Sequence, residues 1–122
     1  MSQQKLVLII EDATEIADIF AEILQLQGML TEVVNDGAVA LQRIQEKTPA
    51  LILLDMHLPS ISGLEILSEL QANPRLSSIR VIEVTADALL AASLQDKVDL
   101  VLVKPVTFAQ ISDLSKRLME YK

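Results

Sequence analysis

Five short aliphatic runs recur along the chain and alternate with segments of helical period. The first run is apolar at every position, which is typical of a strand buried on both faces. Strands that alternate with helices form parallel sheets through right-handed crossovers, with helices on both faces. The chain is therefore predicted to be an α/β protein with a doubly wound, five-stranded parallel sheet. The runs cover residues 6–10, 30–34, 50–55, 79–84 and 100–103.

The intervening segments carry apolar residues at three- and four-residue spacing, as amphipathic helices do. Gly28 is placed to end the first helix in a left-handed cap, Asn73-Pro74 to end the third, and residues 86–94 are predicted to form the fourth. Glu83 interrupts the fourth run and is predicted to point outward at a rim or edge. The stripes predicted to face the sheet are Ile16, Ile19, Phe20, Ile23 and Leu24; Val39, Leu41 and Ile44; Leu64, Leu67 and Leu70; and Ile111, Leu114 and Leu118.

Composition excludes several classes of function. Of the 122 residues, 51% are hydrophobic and only 2% aromatic, so aliphatic side chains build the core and no stacking platform is expected. The formal charge of −7 repels nucleic acid and anionic lipid, so direct binding to either is not expected. Cysteine is absent, which excludes disulfides and thiolate metal sites. The apolar run near the amino end is too short for a signal peptide or a membrane span, and a cytoplasmic protein is expected.

Polar side chains follow four of the five predicted strands. Glu11 and Asp12 follow the first strand, Asp55 ends the third, Thr85 follows the fourth and Lys104 follows the fifth. The carboxyl ends of parallel strands share one edge of the sheet, where α/β proteins bind their ligands. Three carboxylates brought together there repel one another, and a hard divalent cation such as Mg²⁺ removes that conflict.

Phosphoryl chemistry suits such a site. Asp55 is the candidate nucleophile, since attack of its carboxylate on phosphorus forms an acyl phosphate. Mg²⁺, Lys104 and the Thr85 hydroxyl would neutralise and hold the phosphoryl oxygens. Simpler structural roles also exist: Asp12 as the cap of the first helix, Thr85 as the cap of the fourth, and Glu11 as a solvated strand end.

The whole chain resembles the receiver domain of two-component response regulators, through motifs at these strand ends. That resemblance implies a flavodoxin-like fold with strand order 2-1-3-4-5. It also implies that Asp55 is the phosphoacceptor, which takes its phosphoryl group from a phosphohistidine of a sensor histidine kinase or a histidine phosphotransfer protein. The motifs are Glu11-Asp12, Asp55-Met56-His57-Leu58-Pro59, Gly63, Thr85-Ala86 and Lys104-Pro105.

The resemblance further implies roles for the other site residues. Thr85 and Lys104 would bind the phosphoryl group, and the bond before Pro105 would be cis. The implied ligands of Mg²⁺ are Glu11, Asp12, Asp55 and the backbone carbonyl of His57.

The chain departs from the family pattern in two places. Receivers commonly carry an aromatic residue three positions before the lysine, where its rotation reports phosphorylation, and Val101 stands there instead. Residues 85–104 also form a segment about one helical turn shorter than in many receivers, which changes a surface that relatives use to dimerise. A monomer or a weak homodimer is therefore expected.

His57 is the only histidine of the chain. One hypothesis pairs it with Asp87 across the site, where the pair would restrict attacking water and set the lifetime of the acyl phosphate. The alternative is a solvated loop histidine.

The favoured function is a phosphorylation-dependent signalling switch. One receiver domain is expected over residues 1–122, with no output domain. This receiver domain is expected to dock on an effector protein or to pass the phosphoryl group onward. It is not expected to be an enzyme beyond self-phosphorylation and slow hydrolysis of its acyl phosphate. The alternatives are an interaction module that phosphorylation does not regulate, and a phosphatase that works through an aspartyl phosphate. Phosphatases of that class carry a second acid two positions after the nucleophile. His57 occupies that position here, which argues against a phosphatase.

Overall fold

The five aliphatic runs form one parallel sheet in the computed structural model, which describes residues 5–56, 58 and 60–120. The strands are β1, Leu6–Ile10; β2, Leu30–Val34; β3, Leu51–Asp55; β4, Arg80–Thr85; and β5, Leu100–Val103. Their order in the sheet is β2-β1-β3-β4-β5, so that β2 and β5 are the outer strands. The predicted fold and strand order are confirmed. β3 and β4 begin one residue later than predicted, and β4 extends to Thr85.

Helices cover both faces of this sheet. They are α1, Thr14–Gln25; α2, Gly37–Lys47; α3, Gly63–Ala72; α4, Ala88–Leu94; and α5, Phe108–Glu120. A short 3-10 helix, Pro74–Leu76, follows α3. One cluster of buried side chains lies under α1 and α5, and a second lies under α2, α3 and α4.

The central strands are buried on both faces. Every residue of β3 and the last four residues of β1 are buried. In β1, Leu8 and Ile10 belong to one cluster while Val7 and Ile9 belong to the other. Packing on both sides therefore fixes the carboxyl ends of β1 and β3, where the candidate site residues lie.

The predicted helix stripes are partly wrong, because small residues occupy some of the positions closest to the sheet. In α1, Ala17 and Ala21 are buried whereas Ile16 and Ile19 are 37% and 54% exposed. A helix that lies close to a sheet leaves little room at the line of contact, so small residues fit there and some larger apolar residues lie at its flank. Two further predicted residues, Val39 and Leu64, are exposed as well. The remaining predicted residues are buried or packed against the core: Phe20, Ile23, Leu24, Leu41, Ile44, Leu67, Leu70, Ile111, Leu114 and Leu118.

The helix ends follow the predicted signals closely. Gly28 has a φ of +83°, which is the left-handed conformation that glycine adopts without strain. α3 ends at Ala72, before Asn73-Pro74 as predicted. α4 begins at Ala88, two residues later than predicted, because Asp87 is its N-terminal cap.

Glu83 does not point outward, and that prediction is wrong. Its side chain is fully buried, with 0% of the residue exposed. β4 is an interior strand that lies between β3 and β5, and helices cover both of its faces. A polar residue in the middle of such a strand has no rim to reach, whatever the local sequence suggests.

Candidate functional site

Two acids meet where β1 and β3 end. The register pairs Ile10 with Leu54, so Glu11 and Asp55 are the next residues along neighbouring strands. Both are buried, with Glu11 3% and Asp55 5% exposed. The backbone N–H of Glu11 donates to the carbonyl of Val34 at 3.0 Å, which extends the ladder between β1 and β2 beyond the last strand residue. The sheet itself therefore holds both carboxyl groups in place.

Asp12 joins these two residues to form a three-carboxylate cluster. One carboxylate oxygen from each of Glu11, Asp12 and Asp55 lies within 4.8 Å of the others. Asp12 is exposed, so the cluster opens to solvent on its side. Three oxygen donors at one open site match the preference of Mg²⁺ for carboxylate ligands that leave room for water or phosphate. The residues present thus fit the predicted metal.

Lys104 brings a cation to this cluster from the end of β5. Its Nζ lies 3.6 Å from Oε1 of Glu11 and 3.8 Å from Oδ1 of Asp55. Burial raises the pKa of Glu11, as do a hydrogen bond with Asp55 and its charge, whereas Lys104 acts in the opposite direction. One ammonium does not balance three carboxylates, and a divalent cation corrects the remaining imbalance.

Thr85 lies at the end of β4, one residue beyond the partner of Asp55. Its side chain is fully buried, and its hydroxyl accepts a hydrogen bond from the backbone N–H of Asp87 at 3.1 Å. The backbone N–H of Lys104 donates to the carbonyl of Thr85 at 2.8 Å. The threonine and the lysine are thus joined through the main chain, and the Lys104–Pro105 bond is cis as the resemblance implied.

The structural alternatives for three of these residues are wrong. The N-terminal cap of α1 is Ala13, without a side-chain hydrogen bond, so Asp12 does not cap this helix. Asp87, and not Thr85, caps α4. Glu11 is buried and is not a solvated strand end.

Gly63 allows α3 to begin directly against the chain that leaves β3. A Cβ at this position would lie 2.9 Å from Cα of Met56 and 3.0 Å from the carbonyl oxygen of Asp55. Contacts this short with backbone atoms cannot be relieved by a side-chain movement. Glycine at position 63 therefore keeps the helix close to the candidate nucleophile.

Asp36 holds the start of α2 and the loop after β3 together, a role that the sequence did not predict. Its Oδ1 accepts hydrogen bonds from Ala38 and Val39 at the start of α2, and also from the Ser60 hydroxyl at 3.1 Å. Ser60 has a φ of +65° and lies in the loop after Asp55. The sequence Asn35-Asp36-Gly37 is typical of a turn, but the contact of Asp36 with the loop after β3 depends on the tertiary fold.

The predictions that concern His57 fall outside the described residues. They are its backbone carbonyl as a ligand of Mg²⁺ and its pairing with Asp87. The Asp87 carboxylate accepts hydrogen bonds from the backbone N–H groups of Leu89 and Leu90 at 3.0 and 3.1 Å.

Comparison with protein families identifies the class of domain. The family model for the response regulator receiver domain matches residues 7–116. The chain belongs to this family. Membership confirms the resemblance that the strand-end motifs predicted, and it gives the chain a role in two-component signalling. The acidic cluster and Lys104 lie within the matched residues.

Curated relatives differ in how much of their length the match covers. The chain is 40% identical over 80 residues to the sensory transduction protein RegX3 of Mycolicibacterium smegmatis, a match that covers 66% of this chain and 34% of RegX3. It is 38% identical over 85 residues to the polar-differentiation response regulator DivK of Brucella anthropi, which covers 70% of this chain and 69% of DivK. The chain thus spans about a third of the length of RegX3.

Solved structures of receiver domains share this fold. The signal receiver domain of a histidine kinase from Syntrophus aciditrophicus is 29% identical, with a TM-score of 0.86 over 95% of this chain and 90% of that chain. The receiver domain of a sensor histidine kinase from Pseudomonas aeruginosa is 24% identical, with a TM-score of 0.87 over 98% of this chain and 100% of that chain. That structure has a magnesium ion coordinated in its active-site cleft. Within the described part of this chain, no helix has the length and apolar character needed to cross a membrane.

Proposed function

We propose that this receiver domain is a phosphorylation-dependent switch in which Asp55 accepts a phosphoryl group. The donor is the phosphohistidine of a sensor histidine kinase or a histidine phosphotransfer protein. One arrangement carries the proposal: a buried carboxylate at the end of β3, with an ammonium 3.8 Å away and two further acids beside it. A carboxylate is a nucleophile of the kind that forms acyl phosphates, and this one is fixed by the sheet.

The transfer exchanges one bond to phosphorus for another. A carboxylate oxygen of Asp55 attacks phosphorus, the new O–P bond forms, and the P–N bond to the histidine of the donor breaks. The imidazole nitrogen keeps the electron pair of the broken bond. Glu11, Asp12 and Asp55 would hold Mg²⁺, which would supply positive charge beside the phosphoryl oxygens. The backbone carbonyl of His57, outside the described residues, is proposed as a further ligand.

Two residues bind the transferred group directly. The Lys104 ammonium, which now faces Glu11 and Asp55, pairs with one phosphoryl oxygen. The Thr85 hydroxyl donates its hydrogen to another, while its oxygen still accepts the hydrogen bond from the Asp87 N–H. The aspartyl phosphate is thereby connected to the start of α4.

The output of this switch is proposed to be docking on an effector protein or onward transfer of the phosphoryl group. Direct recognition of nucleic acid by this domain is disfavoured, because the net charge is −7. We propose no catalytic turnover beyond self-phosphorylation and slow hydrolysis of the acyl phosphate, and a monomer or weak homodimer as the working species.

Intact-protein mass spectrometry after incubation with Mg²⁺ and acetyl phosphate tests the proposal. One added phosphoryl group is expected in the wild type and in Asp113→Asn, a control at an exposed acid of α5, but not in Asp55→Asn. A folded wild type that forms no adduct would overturn the switch and favour an interaction module that phosphorylation does not regulate. Steady hydrolysis of varied phosphomonoesters would favour a phosphatase instead.

A further inference from the structure

Glu83 is a buried acid to which the phosphoryl chemistry assigns no task. The residue is 0% exposed, and neither carboxyl oxygen has a hydrogen-bond partner of normal geometry among the described residues. In the sheet it lies between Leu54 of β3 and Val101 of β5. Both neighbours contribute to the cluster under α2, α3 and α4, and strand alternation directs Glu83 to the same face.

The surroundings of Glu83 keep its carboxyl group protonated. Burial raises its pKa to about 9, the negative charge of Asp55 adds to the effect, and the backbone N–H of Val84 acts weakly in the opposite direction. Even a neutral carboxyl group that lacks partners loses the hydrogen bonds that it makes in water. The native packing around Glu83 therefore carries a cost that an apolar residue of similar size would not impose.

α4, the helix on this part of the sheet, is held by few interactions. It has seven residues, of which Ala91 and Leu94 are buried. A helix this short is marginal without its cap and its packing. The cap is the Asp87 carboxylate, and the N–H of Asp87 in turn donates to the Thr85 hydroxyl. The start of α4 is therefore connected to Thr85, a residue at the candidate site, through the Asp87 cap and one hydrogen bond from Asp87.

We propose that Glu83 destabilises the packed position of α4, so that this position lies close in free energy to a loosened one. A phosphoryl group on Asp55 then shifts the equilibrium toward the loosened position through Thr85. In the loosened position water reaches the Glu83 carboxyl group and supplies its missing partners. The second half of this inference rests on the proposed function, whereas the first half concerns the unphosphorylated protein alone. Glu83 would thus contribute to the conformational change in a chain where Val101 replaces the aromatic residue that commonly reports phosphorylation.

Hydrogen–deuterium exchange of the α4 amides tests the inference, with Glu83→Met as an apolar replacement of similar size and Glu83→Leu as a second one. In the unphosphorylated protein we expect exchange in α4 to slow by about tenfold or more in both variants, the ratio that corresponds to one unpaired buried polar group. Glu83→Gln, which keeps an unpaired polar group, should exchange like the wild type. Unchanged α4 exchange in folded Glu83→Met and Glu83→Leu would overturn the inference.

Phosphorylation with acetyl phosphate and Mg²⁺ provides the second measurement. We expect it to accelerate α4 exchange in the wild type and in Glu69→Met, a control that makes the same substitution at an exposed acid of α3. Glu83→Met should gain the phosphoryl group, as mass confirms, yet lose most of that acceleration. An undiminished response in phosphorylated Glu83→Met would overturn the link to Asp55. If the wild type gains no phosphoryl group, the proposed function fails while the comparison of unphosphorylated proteins still decides the role of Glu83.

Discussion

Glu11, directly after β1, and Glu83, within β4, are buried acids on either side of β3, and their environments differ. Glu11 has the Lys104 ammonium at 3.6 Å and accepts a hydrogen bond from the Ala13 N–H at 3.4 Å. Glu83 has no ion pair or hydrogen bond of normal geometry within the described residues. Burial raises the pKa of both. At Glu11 a bound cation can still favour the charged form, whereas at Glu83 the neutral form has no such competitor.

The stability of the protein should therefore fall as pH rises, because of Glu83. Its pKa is raised from 4.5 to about 9 by burial and by the charge of Asp55, so the folded state binds one more proton than the unfolded state between those values. The stabilisation is complete below pH 4.5 and is lost as pH rises toward about 9. Within this window the free energy of unfolding should decrease by about 1.4 kcal/mol per pH unit from this group alone.

Urea unfolding of the wild type and Glu83→Gln at about pH 6 and about pH 8 measures this contribution. Glu11 titrates in both proteins, so the difference between them isolates Glu83. The wild type should lose roughly 3 kcal/mol more than the variant across this interval. Equal losses in the two proteins would mean that Glu83 does not hold its proton in the folded state.

Among the described α-helices, α4 is the shortest, and its first turn depends on its N-terminal cap. Its capping residue, Asp87, receives two backbone hydrogen bonds from the first turn and no support from an acidic residue within that turn. α2 has a similar cap at Asp36, but Ser60 reinforces it from the loop after β3. Loss of the Asp87 cap should consequently destabilise α4 more than loss of the Asp36 cap destabilises α2.

Replacement of Asp87 by alanine should destabilise the protein by about 1 kcal/mol, the ordinary cost of a lost N-terminal cap. Amide exchange in α4 should accelerate more than exchange in β1, because the helix loosens before the sheet unfolds. Asp96→Ala, at an exposed acid just after α4, is the matched control and should leave both unchanged. Equal acceleration in α4 and β1 would contradict a local role for the cap.

The elements also separate what the sequence predicts from what it does not. Strands were located to within a residue because their apolar runs are short and continuous, as Leu51–Asp55 illustrates. Helix faces were less predictable, since Ala17 and Ala21 carry no strong hydrophobic signal yet lie against the sheet. Burial at such positions depends on the distance between helix and sheet, which a single helix does not encode.

The candidate site was predictable for a related reason. Asp55, Glu11 and Lys104 each adjoin a strand end, and a parallel sheet brings strand ends together whatever the details of packing. The predicted outward position of Glu83 is wrong because polarity alone suggests the rim of the sheet, whereas the strand order makes β4 an interior strand. The contact of Ser60 with Asp36 joins two loops that are distant in sequence, and no local pattern announces it.

On the scale of the whole molecule, an acidic protein with a three-carboxylate cluster should gain stability from a divalent cation. Saturating Mg²⁺ is expected to raise the free energy of unfolding by a few kcal/mol, about 2.7 at one hundred times the dissociation constant. Urea unfolding with and without Mg²⁺ measures this gain, and a chelator should reverse it. Asp12→Asn should lose most of the gain at little structural cost, because Asp12 is exposed and caps no helix.

Asp18→Asn, at an exposed acid of α1 outside the cluster, separates specific binding from general screening of charge. It should keep the gain from Mg²⁺. If Asp12→Asn also kept it, the cluster would not be the binding site.

The two outer strands have a consequence for how this protein behaves in concentrated solution. Among the described residues β2 and β5 each have a strand partner on one side only, and apolar side chains on both strands are exposed, with Leu30 at 49% and Val103 at 43%. Open edges of this kind invite pairing between molecules. The charge of −7 opposes it by mutual repulsion, so colloidal stability rests on the acidic surface and diminishes with salt or acid.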